Sequence, residues 1–542
     1  MLEERPPRSR IETALLIALL IGAPAVALRL VGLRWALPTP LHYFSYHPDE
    51  IFLLLPSMQY FAHGDWNPHF FNYGTLYLYL VGIPAVLLGI ARDPSSLAPL
   101  YLLGRSITAL LGIASVPLLY LAVKGESKRL AAISAMLLAV LPLHVINSHY
   151  AIVDVAATFW LVLAFLLTLR GARRPGVPTG LVTGLAVGLA AATKYNAGLF
   201  LLPAILAPVI SPPRNWRRTW PLAVVLGAVL GFAIGCPYFA SPGFARGLRF
   251  ELEHMRVGGT YAFANTGSGW GYHLTHGLPI GLGFPLLLAL FSGAYATFRL
   301  PSRAARVSLL WVVLYLLVIG FSKERFIRYL VPITPFLAVI AAAGLLWLWR
   351  IPPARLVRAV GAAFGAAVLI LTGLYSWGQV RGFVGEDPRN AAWSSAGVQV
   401  VQSRGRIRAG LVQPPWYFSP PVSPYNAGPF SDDPFQKLNA RAGHPVVITG
   451  WDSERLQAER PAFFFLSDLE AVDLLRLRDP EATRFVTALE DLYRQRTVFA
   501  RPPAPYAWLA PGREWAPPDW LYSSPEITRY ARPRSYYAQL PS

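Results

Sequence analysis

The chain has 542 residues, of which 54% are hydrophobic and 14% charged, and its formal net charge is +19. Soluble globular proteins average about 25% charged residues, and here apolar runs long enough to cross a membrane recur through the first 380 positions. A soluble enzyme, a fibrous protein and a disordered chain are therefore excluded, and the expected class is an α-helical polytopic membrane protein. The charge has a simple location. Residues 1–378 hold 29 Lys+Arg against 12 Asp+Glu, whereas residues 379–542 hold 19 against 17. Cations gathered in short loops between apolar runs are the positive-inside signature of topology, so no nucleic-acid partner is implied.

In chain order, the basic N-terminus precedes an apolar run at Ile11–Ala36. That run is too long for a secretory signal and lacks a small-residue cleavage site, which predicts a retained first span. A first outer loop, 37–98, follows. Within it Thr75–Ala91 is apolar, but a full crossing there would place every later basic cluster outside. We therefore expect it to lie at the interface or to dip in and return. Further spans are expected near 99–122, 129–147, 153–170, 178–193, 196–210, 219–236, 278–298, 307–320, 328–349 and 357–378, eleven in all. The basic clusters Lys124–Arg129, Arg170–Arg174, Arg214–Arg218, Arg299–Arg306 and Arg350–Arg358 then face the cytoplasm with the N-terminus. The protein would reside in the cell membrane with residues 379–542 outside it. The single cysteine, Cys236, cannot form an intrachain disulfide.

From residue 379 the hydropathy drops. Short β-type runs at Ile407–Val412, Pro445–Thr449 and Ala462–Leu466 alternate with helical patterns at Leu469–Leu477 and Glu481–Tyr493, predicting an extracytoplasmic α/β domain. The last forty residues, rich in Pro, Tyr and Trp, read as irregular chain packed over that domain or the membrane surface.

Two departures from the charge pattern point to chemistry at the outer face. The loop Ser322–Arg328 is basic although it lies outside, and most acids of the membrane half, including Asp49, Glu50, Asp154 and Glu251, are also placed there. Asp49-Glu50 sits between Pro48 and the apolar run Ile51–Leu55, so at least one carboxylate is expected to be shielded, which favours general-base work. Apart from Glu12 at the start of the first run, Asp154 is the only acid inside a predicted span, and it reads as functional, the bland alternative being a pairing with Arg105 or Lys194. Lys194 interrupts an apolar stretch, either as a snorkelling lysine or as a phosphate-binding cation together with Arg325 and Arg328. The six outward histidines fit no zinc template, and no phosphate-cradling glycine loop occurs, so no metal or cofactor is expected.

Taken in order, these segments resemble the C-type glycosyltransferase superfamily, and within it the bacterial branch similar to protein O-mannosyltransferases and lipid A aminoarabinose transferases. The resemblance rests on Asp49-Glu50, on Asn72-Tyr73-Gly74-Thr75-Leu76-Tyr77 entering an interfacial helix, and on Arg105. It continues through His149-Tyr150-Ala151-Ile152-Val153-Asp154, Thr193-Lys194-Tyr195-Asn196 and Arg328-Tyr329-Leu330-Val331-Pro332. It implies a mannosyltransferase-like enzyme that moves a sugar from a polyprenyl-phosphate donor to an acceptor protein, lipid or glycan, with inversion. It further implies Asp49 as base with Glu50 as its neighbour, and donor contacts from Lys194, Arg325, Arg328, Tyr329, Asp154, His149, Asn72 and Tyr73. One departure stands out: aminoarabinose-transferase relatives carry Lys-Pro where this chain has Asn72-Tyr73. A flippase for lipid-linked saccharides would show repeated halves and helices broken at mid-membrane, and a non-catalytic assembly subunit would not need this charged set.

Overall fold

The computed structural model describes residues 10–533 apart from 40–41, 43–44, 93–96, 211–218, 351–354, 404–405, 423–445 and 503–504. The basic segment 1–9, the Arg214–Arg218 cluster, part of Arg350–Arg358 and Asp93 lie outside the described residues.

Each of the eleven apolar runs is helical. In order, the helices are α1 Arg10–Leu30, α2 Glu50–Gln59, α3 Leu76–Leu87, α4 Leu97–Val123, α5 Lys128–Val140, α6 Pro142–Asn147, α7 Val153–Gly171, α8 Val177–Ala191, α9 Leu201–Ile210, α10 Thr219–Gly235 and α11 Pro242–Val257. After the short α12 Gly269–Tyr272 come α13 Leu278–Leu282, α14 Phe284–Arg299, α15 Arg303–Ile319, α16 Thr334–Arg350 and α17 Arg355–Val380. Tight 3₁₀ segments at Tyr195–Phe200 and Ile327–Ile333 lead into α9 and α16.

The eleven helical runs differ in length and continuity. Among the described residues, four helical stretches are long and apolar enough to cross a membrane, and a fifth if Gly269–Leu282 and Phe284–Arg299, bent by 118°, are taken together. That bend falls at Gly283, whose φ of 75° suits glycine alone. Some of the other runs are interrupted where proline or a polar group stands. The predicted span 129–147 breaks at Leu141, before Pro142, and the pair 178–193 and 196–210 is separated by Lys194. The α3 helix covers only 12 residues, too short for a crossing of about 20.

Close packing compensates for the short helices. Glycines four apart on α8 and α10 interlock: a Cβ added at Gly184 would lie 1.9 Å from the Val224 carbonyl oxygen, and one at Gly231 2.2 Å from that of Leu185. Only small residues permit such backbone approach between apolar helices.

Beyond α17, the helices α18 Pro388–Ser394 and α19 Gly397–Gln402 lead into a five-stranded sheet. Its strands are β1 Ala409–Leu411, β2 Val446–Ile448, β3 Phe463–Ser467, β4 Gln495–Phe499 and β5 Ile527–Ala531, in the order β2-β1-β3-β5-β4. Strands β1, β2 and β3 are parallel, and β5 runs antiparallel between β3 and β4. Helices Asp468–Arg476 and Pro480–Leu492 complete the α/β domain. The expectation of an irregular final segment is corrected here. Residues 527–531 form an interior strand, pairing Phe463 with Ala531 on one side and Gln495 with Ala531 on the other. A five-residue run enclosed by proline and tyrosine carries too little alternation to be read as a strand. The segment before it returns to the helical bundle, where Trp520 stacks near Tyr375 of α17, ring centroids 6.5 Å apart.

Candidate active site

Helix ends converge where the bundle meets the C-terminal domain. Asp49 occupies the N-cap of α2, Asp154 lies in the first turn of α7, and Lys194 stands between α8 and the 3₁₀ segment 195–200. The positive end of a helix macrodipole favours carboxylates at such positions. Asp49 makes no side-chain cap bond; its carboxylate binds Arg328 instead, Oδ2 to Nη2 2.7 Å. Lys194 Nζ pairs with Asp154 Oδ1 at 2.5 Å. Tyr329 joins the two pairs: its ring lies 4.8 Å from Lys194 Nζ and 5.9 Å from the Arg328 guanidinium carbon.

The adjacent acids are divided between two tasks. The Asp49 side chain keeps 23% of its surface exposed, whereas that of Glu50 has none. Glu50 takes two charge-assisted bonds from Arg105, Nε to Oε1 and Nη2 to Oε2, both 2.7 Å. It also accepts from the Ala151 amide at 2.7 Å and from the Ser45 hydroxyl. Arg105 spends its remaining nitrogen on the carbonyls of Leu33 and Trp35. This pair therefore ties α2 to α4, to the end of α1 and to the start of α7, and it offers no route to a substrate. The predicted catalytic neighbour of Asp49 is a structural brace.

The first loop is fixed against Lys194 by close backbone contact. A Cβ at Gly74 would fall 2.1 Å from the Ala192 carbonyl oxygen, and the Leu76 amide donates to that same oxygen at 3.0 Å. The Tyr195 hydroxyl donates to the Phe71 and Tyr73 carbonyls at 2.8 and 2.9 Å. Tyr73 thus stands beside the Asp49–Arg328 pair, and burial together with the Asp49 charge raises its phenol well above the usual range. Asn72 lies half-buried on the same turn.

Two predicted donor contacts belong elsewhere. Arg325 donates to the Thr266 hydroxyl and to the Gly267 carbonyl, and lies 5.9 Å from the Tyr272 ring, so it fastens the 264–268 loop. His149 is stacked on Phe383 at 4.2 Å, with its ring nitrogens 2.9 and 3.0 Å from the carbonyls of Val31 and Val145. It packs the junction of α1, α6 and the chain after α17. A short motif shows that such residues are near a site, not which way their side chains turn.

The structure also adds residues. Glu251, on the amphipathic α11, is half-buried and feels the charges of Lys194, His254, Arg328 and Asp49; burial raises its carboxyl above the ordinary value. The Asp519 carboxylate accepts from the Ile327 amide at 3.1 Å and the Arg328 amide at 3.0 Å, and burial lifts it to about 6. Tyr522 stands edge-on to His47, 5.1 Å between ring centroids, and the Asp49 amide donates to His47 Nδ1 at 3.3 Å. The apolar and charged periodicity of 242–257 was the available signal for Glu251. No local pattern marks Asp519 or Tyr522. Among the described residues no three His, Cys, Asp or Glu side chains converge to hold a metal ion, and a metal-free site stays an expectation.

Chemically, the arrangement offers a partly exposed carboxylate, a lysine and an arginine around one aromatic ring, beside apolar helices. The Nη1 of Arg328 is buried and makes no hydrogen bond, a donor left over for an anion.

Residues 56–239 match the family model described as dolichyl-phosphate-mannose-protein mannosyltransferase. Comparison with curated proteins gives no match. Among solved structures, the chain is similar to ArnT from Cupriavidus metallidurans bound to undecaprenyl phosphate, with 15% identity, TM-score 0.53, and coverage of 96% of this chain and 98% of that one. It is also similar to the Archaeoglobus fulgidus oligosaccharyltransferase tethered to an acceptor peptide, with 13% identity, TM-score 0.55, and coverage of 94% and 78%. The chain therefore shares its fold with these two structures, and residues 56–239 are similar to the mannosyltransferase family model.

Proposed function

We propose that the chain is a membrane glycosyltransferase that takes a sugar from a polyprenyl-phosphate donor and places it on an acceptor hydroxyl at the outer membrane face. The observation that carries this reading is the Asp49–Arg328 pair with its unused guanidinium nitrogen, set beside Lys194 at one rim of an apolar bundle. The likeness to a structure bound to undecaprenyl phosphate supports the donor class, and the family model over 56–239 supports a mannosyl-type sugar.

In this mechanism the phosphate of the donor is already a good leaving group, so no strong general acid is needed. Arg328 and Lys194 balance the charge that develops on it. The incoming phosphate competes with Asp49 for Arg328, and Asp49, once released, accepts the proton of the acceptor hydroxyl. Attack opposite the leaving phosphate inverts the anomeric carbon. Asp154 keeps Lys194 oriented, and Glu251 and Tyr73, which lie near Asp49 and Arg328, would meet the sugar. The isoprenoid tail stays among the spans, which explains a site at the membrane boundary.

The test is transfer by the reconstituted protein. Labelled polyprenyl-phosphate mannose and other polyprenyl-phosphate sugars are supplied with envelope extract as acceptor, to wild type and to Asp49→Asn. Wild type should label an acceptor and release polyprenyl phosphate, while Asp49→Asn should do neither. Equal turnover by both removes Asp49 as base. Movement of lipid across the liposome without transfer identifies a flippase.

A further inference from the structure

The 3₁₀ segment Ile327–Ile333, which carries Arg328, has an unusual beginning. Its N-cap residue is Phe326, whose side chain has no oxygen to offer and makes no cap bond. The first amides of any helix lack partners within it and are ordinarily satisfied by a Ser, Thr, Asp or Asn immediately before. Here the partner comes from 190 residues away. Asp519 places Oδ1 against the Ile327 amide and Oδ2 against the Arg328 amide, at 3.1 and 3.0 Å. Asp519 is itself buried, 6% exposed, and stands in the short turn Pro518–Trp520.

That turn is anchored at both sides. Trp520 stacks near Tyr375. Two residues beyond Trp520, the Tyr522 carbonyl receives a 2.7 Å bond from Arg389. Arg389 is wholly buried, bonded twice to Asp387 at 2.7 and 2.8 Å, and lies 3.7 Å over the ring of Tyr46 in the first loop. The Tyr46 hydroxyl in turn donates to Asn390 at 2.6 Å. The C-terminal domain is therefore locked onto the same loop that supplies Asp49, and a carboxylate from it fixes the backbone that supplies Arg328.

We propose that Asp519 is a positioning residue: it caps the Arg328 segment from the C-terminal domain and so aims the guanidinium at the donor phosphate. The inference rests on the phosphate-binding role proposed above for Arg328. A free carboxylate at this point would neutralise Arg328 and compete with phosphate. Asp519 forms no ion pair with the guanidinium: its two oxygens are committed to the amides, and its charge is felt by Arg328 only at longer range.

The experiment uses the full chain in nanodiscs and polyprenyl phosphate, without sugar, as the probe. Amide exchange is followed in the peptide spanning residues 322–333, and lipid affinity is measured for wild type, Asp519→Ala, Arg328→Ala and the double variant. Asp519→Ala should raise exchange at Ile327 and Arg328 and weaken binding about tenfold, the loss of one charge-assisted bond's worth of stabilisation. Arg328→Ala should weaken binding at least as much, and the double variant should be no worse than Arg328→Ala alone. In turnover, Asp519→Ala should raise the donor KM more than it lowers kcat. Unchanged exchange in Asp519→Ala overturns the proposal, and so does additive weakening in the double variant, since a merely structural residue would act in both backgrounds. If Arg328→Ala binds lipid as wild type does, the phosphate assignment itself fails and the proposal with it. That result differs from the other two.

Discussion

The two arginine–carboxylate pairs at this site look alike in geometry and should behave differently when broken. Arg105→Ala strands Glu50 in a place with no exposed surface, with only the Ala151 amide and the Ser45 hydroxyl left to it, and frees the carbonyls of Leu33 and Trp35. Breaking one partner of such a buried pair costs about 3–5 kcal/mol. Arg328→Ala leaves Asp49 with 23% of its side chain exposed, so water can take over part of the lost bond and the cost should be smaller, about 1–3 kcal/mol. Unfolding of the purified protein in detergent, followed by SDS titration or heat, measures both. A further variant sharpens the test. Glu50→Gln with Arg105→Met leaves no lone charge and should be more stable than Arg105→Met alone. The reasoning fails if Arg105→Ala lies within about 1 kcal/mol of wild type, or if Arg328→Ala is equally damaging.

Three other outcomes follow from the same geometry. Asp49→Asn should reduce turnover by about 10²-fold or more while leaving polyprenyl-phosphate affinity within a few-fold, as read by single-turnover transfer and by equilibrium binding. Gly74→Ala drives a methyl into the Ala192 carbonyl; thermal unfolding should show a loss of about 1–3 kcal/mol, with lipid affinity falling as Lys194 shifts. The third concerns Glu470, whose carboxyl burial pushes up to about 8. The folded domain then holds a proton that the unfolded chain has lost, so this group's contribution is complete below its ordinary value, declines as pH rises and is gone above about 8. Glu470→Gln should remove that decline, measured as the difference in unfolding midpoint from wild type between acid and alkaline buffer. A constant difference would contradict it.

Much of the bundle could be read from hydropathy, because a chain that must bury its apolar residues in lipid writes each helix as a long run. The positions of Asp49, Lys194, Asp154 and Arg328 were legible for the converse reason: a charge in such a run is costly and stands out. What hydropathy does not encode is direction. Glu50 and Asp49 are neighbours, yet one helical step separates a sealed brace from a reachable carboxylate. His149 and Arg325 sit within motifs but point to carbonyls outside the cluster. The span expected at 129–147 was overestimated, because Pro142 interrupts an otherwise continuous apolar run. Asp519 and the bond from Arg389 to Tyr522 lay beyond reach altogether, since the groups they join are more than a hundred residues apart and nothing in a proline-rich stretch announces a tertiary bond.

The remote cap on the Arg328 segment imposes an order on biogenesis. When the ribosome has finished the tenth apolar run, the amides of Ile327 and Arg328 still await an oxygen that has not been synthesised. Insertion into the bilayer can proceed, but the arginine cannot settle until a stretch made nearly two hundred residues later has been synthesised, folded and docked. A chain arrested before that stretch is made would thus sit in the membrane with its helices in place and its charged rim unassembled.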